Sequence, residues 1–160
     1  MSRRPTRPTR TSSTRRTPPG TSTSTGTRTS AARDDSPCLC GLPASYGECC
    51  GRFHSAAAAA PTAERLMRSR YSAFAVGNEP YLLSSWHPAT RPSRVGLDPA
   101  MRWVGLEILA STEGSAFHTT GTVTFRARYT RRGEEGALHE RSRFERYEGA
   151  WVYVEGTFVE

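Results

Sequence analysis

The chain has 160 residues, enough for one ordinary domain and an appendage, and only 36% of them are hydrophobic, which is low for a chain packed along its whole length. Residues 1–33 hold eight Arg and no acid, whereas the other 14 Arg face 15 acids, so the formal charge of +7 belongs to the leading segment and the body stands near −1. No apolar run is long enough for a membrane span or the core of a secretory signal, so a cytoplasmic chain with no membrane partner is expected.

Residues 1–36 are almost all Arg, Thr, Ser, Pro and Gly. Such a segment cannot bury enough apolar surface to offset the entropy of ordering it, and it is expected to be a disordered basic tail. A basic arm can bind nucleic acid or a ribosomal surface through phosphate charge. An Arg run of low specificity reads equally as a solvated leader, and that reading is favoured.

All four cysteines fall in residues 37–54: Cys38 and Cys40, then Cys49 and Cys50 after eight intervening residues. A disulfide framework spreads its cysteines to staple distant loops, and adjacent cysteines bridge each other only with strain. Four thiolates converging on one tetrahedral zinc ion is the simpler reading, and four sulfur ligands leave no open position, which makes the site structural. A reduced thiol cluster or redox pair is the competing reading. The pattern Cys38-x-Cys40-x8-Cys49-Cys50 resembles the SEC-C motif, the zinc-binding tail of the translocase ATPase SecA. Leu39 stands in place of that motif's usual Pro, and the loop from Gly41 to Ala44 also departs from it, while the ligand spacing is kept. His54 reads as a supporting or surface residue.

Residues 55–61 read as a linker, because Pro61 ends any helix that the alanine run would start. Thr62 is a candidate N-cap. Met67, Tyr71, Phe74 and Ala75 then recur at one helical stripe, which Gly77-Asn78 ends. Tyr81, Leu82, Leu83 and Trp86 suggest a short second helix stopped by Pro88, followed by a proline-rich loop. From residue 103 the period becomes two. Val104, Leu106 and Ile108 alternate with Trp103, Gly105 and Glu107, and three further strand segments follow, with turns expected at Glu113-Gly114, Arg132-Gly133 and Glu148-Gly149. Helices followed by an antiparallel meander predict an α+β fold, with the helices packed on one face of a curved sheet.

Leu66 to Tyr71, Trp86-His87-Pro88, Trp103 to Leu106, Phe125 to Tyr129, Glu140 to Phe144 and Trp151 to Val154 together resemble the uncharacterised YchJ-like family. That resemblance implies an N-terminal SEC-C knuckle joined to a cone of the nuclear transport factor 2-like type over residues 62–160, with a cavity between helices and sheet.

Alternation along the third strand puts Leu138, Glu140, Ser142 and Phe144 on one face, the buried one. Pocket candidates are therefore Glu140 and Ser142, with Arg70, Tyr71 and His87 nearby. Glu140 reads as a base or ligand anchor, or, as the favoured reading, as half of a buried Arg70–Glu140 ion pair. His87 reads more readily as a loop histidine or helix cap. Arg126, Arg128, Arg141 and Arg143 face outward as a solvated stripe. No phosphate loop, hydrolase elbow or paired metal-binding histidine motif occurs. Two functions remain: an adaptor engaging a protein or ribosomal partner through the knuckle, which is the favoured one, or a small-molecule binder or enzyme of isomerase or hydratase type using the cone.

Overall fold

A computed structural model describes residues 33–160. The expectation of a disordered tail falls mainly on residues 1–32, outside the described residues. Its last residues, 33–36, are tied to the knuckle: Gly47 N–H donates to the Asp34 carbonyl and Tyr46 N–H to the Ser36 carbonyl (3.0 and 2.8 Å). The element order is α1 (Cys50–His54), α2 (Ala63–Val76), α3 (Glu79–Ser84), then β1 (Met101–Glu113), β2 (Thr120–Arg131), β3 (Glu134–Tyr147) and β4 (Ala150–Phe158). The four strands form one antiparallel sheet in chain order. No helix among the described residues is long and apolar enough to cross a membrane.

α2 begins where the sequence places it. Thr62 Oγ1 accepts from Arg65 N–H at 3.1 Å, and Ala63 N–H donates to the Gly114 carbonyl at 2.9 Å, so the β1–β2 connection caps the helix a second time. Trp151 Nε1 reaches the Pro61 carbonyl just before it (3.2 Å). Gly77 ends the helix with a φ of 74°, a left-handed conformation that costs glycine little. Asn78 then caps α3.

The two tight hairpins also follow the sequence. Arg131 pairs with Glu134 and Tyr147 with Ala150, leaving Arg132-Gly133 and Glu148-Gly149 as two-residue loops with positive φ at both positions. This is the turn whose twist matches the flanking strands.

β1 departs from the expected alternation. Trp103 pairs with Tyr129 and Gly105 with Arg128, so Val104 is an extra residue at a bulge, and Leu109 is another between Ile108 and Ala110. Each bulge resets the parity. Trp103, Leu106 and Ile108 therefore face the core together, and Val104, expected on the face of Leu106, is 56% exposed.

α2 lies in the middle of three layers, with the sheet on one side and the cysteine knuckle on the other. Its residues from Ser69 to Ala73 are all buried, and the cysteines belong to the same core as Leu66, Met67, Val123 and Phe144. Replacing Thr62 with Ala is predicted to lower stability by about 1 kcal/mol while Ser preserves it, read as the shift in urea midpoint at unchanged slope.

Candidate functional site

The four cysteine sulfurs lie within 4.8 Å of one another, and the side chains are at most 5% exposed. Sulfurs bound at about 2.3 Å to one tetrahedral ion stand about 3.8 Å apart, and the Cys40 and Cys49 sulfurs are 3.6 Å apart. All four cysteines are free of disulfides. Gly41, at φ 87°, turns the chain after the first pair, and α1 carries the last ligand. These residues fit one metal ion held by four thiolates.

The back of α2 supplies what such a site needs. Arg65 Nη2 points at the Cys49 sulfur (4.0 Å), Arg68 Nη1 donates to the Cys40 carbonyl (2.9 Å), and Ser72 Oγ lies 3.9 Å from the Cys38 sulfur. Two guanidinium groups beside the four cysteines would balance the excess negative charge of a divalent ion held by four thiolates. Without a cation the thiols ionise unequally. Hydrogen bonds from Cys40 and Cys50 hold Cys38 low, whereas burial, followed by the neighbouring thiols, raises Cys49 to about 11.

His54 is a buttress. Its Nε2 donates to the Ser69 carbonyl (2.8 Å) and its Nδ1 accepts from the Tyr46 hydroxyl (2.6 Å), tying α1 to α2. Burial pushes its pKa below the usual histidine value.

On the other side of α2 a cavity of about 170 Å³ opens between helix and sheet. Phe74, Trp103, Phe125, Leu138 and Trp86 make its walls, and Arg70, Tyr71, Glu140, Ser142 and Tyr153 bring polar groups. Four of the five predicted pocket residues are thus brought together. His87 is not among them. The 85–87 segment runs along the edge of β4, with His87 N–H donating to the Tyr153 carbonyl (2.7 Å). This turns the imidazole outward, to Glu145 (3.8 Å) and the Tyr147 ring.

The expected Arg70–Glu140 ion pair does not form. Arg70 Nη1 donates instead to the Leu82 carbonyl (2.7 Å) and Ser85 Oγ (2.6 Å), closing the C-terminal end of α3. Its guanidinium lies over the rings of Trp86 and Tyr153. Burial lowers its pKa to about 10. Glu140 accepts from Ser142 Oγ at 2.9 Å and rests over Gly156, where a Cβ would collide with its Oε1. Tyr153 is pushed up to about 12, by burial first and then by the Glu140 charge.

Tyr153, Trp86, Arg65 and Arg68 were not among the site residues expected from the sequence. Arg65, Arg68 and Ser72 fall at i, i+3 and i+7, a second stripe opposite Met67 and Tyr71, and that spacing was the available signal.

A cone of antiparallel sheet closed by a helix, with a four-cysteine cluster behind that helix, defines a nuclear transport factor 2-like domain carrying a SEC-C-type motif. The pattern of the middle nuclear transport factor 2-like domain of YchJ matches residues 62–156. A UPF0225 protein of Streptomyces coelicolor is 67% identical over 124 residues, covering 78% of this chain and 97% of that relative. One from Corynebacterium glutamicum is 53% identical, covering 74% and 94%. Among solved structures, a SEC-C motif containing protein of Rhodopseudomonas palustris superposes with a TM-score of 0.66 at 33% identity, over 77% of this chain and 98% of that one. Another from Psychrobacter arcticus gives 0.63 at 26% identity, over 81% and 85%. The chain belongs to the YchJ-like, UPF0225 family.

Because the folded pKa of His54 lies below its unfolded value of about 6.5, the unfolded chain binds more protons in mild acid. The histidine's contribution to stability is predicted to be complete above about pH 7 and to fade as pH falls through 6.5. A flat difference in unfolding midpoint between wild type and His54→Gln from pH 8 to 5 would contradict this.

Proposed function

We propose that this protein binds a small molecule in the cone and uses a structural zinc ion, held by Cys38, Cys40, Cys49 and Cys50, to fix the helix that forms the cavity roof. The observation that carries the reading is the cavity itself, an apolar space with a cation, a carboxylate and a phenol converging in it. That is the ordinary composition of a small-molecule site. Zinc is favoured by four buried sulfur donors with no open position, and a closed site that faces the core supports the helix rather than performing chemistry.

A second reading, in which the knuckle docks a protein partner, is supported by its outer rim. Asp34, Asp35 and Glu48 line an open groove there. The rim is acidic, so it suits a basic protein surface and disfavours ribosomal RNA. This reading leaves the cavity without a role and ranks second.

Purified protein is expected to carry about one zinc per chain by mass spectrometry, and cobalt-substituted protein a tetrahedral thiolate spectrum. Thermal scans against a metabolite library are expected to show stabilisation by a ligand subset, about 2.7 kcal/mol at 100 times Kd. Ala127→Met, which fills the cavity, is expected to remove that response. No stabilisation across the library, with metal content intact, would overturn the binding reading. Capture of a basic protein that Glu48→Arg abolishes would establish the second.

A further inference from the structure

Arg70 is the one buried arginine among the described residues. It is 3% exposed, yet none of the ion pairs among the described residues includes it. A charge taken out of water is costly unless an opposite charge or a full set of hydrogen bonds meets it. Its hydrogen bonds among the described residues both run through Nη1. The Nε–Nη2 edge, the fork that matches a carboxylate with two parallel bonds, makes none, and the residue lines the cavity. Glu140, the acid on the facing wall, is held away by Ser142 Oγ and its seat over Gly156.

The space fixes the size of the occupant. An apolar cavity of about 150 Å³ holds benzene, and this one measures about 170 Å³, with rings of Trp103, Phe74 and Phe125 for walls. Resting on the small-molecule reading, we infer that the cone takes a compact monocarboxylate of about one ring in size, its carboxylate gripped by the free edge of Arg70 and its apolar body packed against the aromatic walls. Glu140 sets the charge limit, because a second anionic group on the ligand meets a carboxylate that is already there.

The test uses the full-length protein with its native metal and three probes: benzoate, its neutral counterpart benzamide, and the dianion phthalate, each titrated by calorimetry. Benzoate is expected to bind at least about tenfold more tightly than benzamide. Arg70→Lys keeps a positive charge and a donor for the Leu82 carbonyl but removes the fork, and it is expected to erase that preference. Ala127→Met leaves Arg70 intact and is expected to abolish benzoate binding, which keeps the inference testable if Arg70→Lys does not fold. Glu140→Gln is expected to admit phthalate.

Benzamide binding as tightly as benzoate, with Ala127→Met blocking both, overturns the carboxylate inference while sparing the cavity reading. Benzoate binding that survives Ala127→Met overturns the inference by placing the ligand elsewhere, as does a loss of benzoate binding in Glu140→Gln.

Discussion

Everything in this fold depends on α2 being buried from two sides at once. A helix packed on a sheet ordinarily keeps one face in water. Here the back of the helix carries Ser69, Ser72 and Ala73, all fully buried, and small residues let the cysteine knuckle approach closely enough for Ser72 Oγ to lie beside the Cys38 sulfur. The polar groups that this burial would strand are matched. Ser69 Oγ donates to the Leu66 carbonyl and lies 2.6 Å from the Tyr81 hydroxyl, while His54 takes up the Ser69 carbonyl. The knuckle thus forms an outer layer of the core, behind the helix that forms the cavity roof.

The same helix carries opposite chemistry on its two faces. Arg65 and Arg68 turn their charge towards the cysteine knuckle, and Arg70 turns its own towards the cavity. Three arginines within six residues would repel one another on a bare helix. Each is instead held by a different environment: sulfur, a knuckle carbonyl, and the carbonyl end of α3 with two aromatic rings. One rigid element therefore joins the cysteine cluster to the cavity, and the placement of α2 sets the geometry of both.

Much of this was legible in the sequence. The Thr62 cap, the Gly77 stop and the two tight hairpins depend on local backbone chemistry, which a short window of residues specifies. The inward face of Glu140 and Ser142 could be read because β3 is unbroken there. Val104 could not be placed, because a bulge resets parity without leaving a mark in an apolar run. The Arg70–Glu140 pair failed for a related reason. Sequence put both groups on facing walls, but the partners that won, the Leu82 carbonyl and Ser142 hydroxyl, depend on where α3 ends and on the gap left by Gly156. His87 sits in a loop, as its favoured reading had it, and the edge of β4, not the helix before it, decides that the segment turns away from the cavity.

The bulges of β1 have one more effect. That strand forms an outer margin of the sheet, thirteen residues long, and a straight margin of that length invites a neighbouring chain to zip on in register. Residues Val104 and Leu109 interrupt the regular row of backbone donors and acceptors at two places. The two bulges thereby break the continuous ladder that a neighbouring chain would need along this rim.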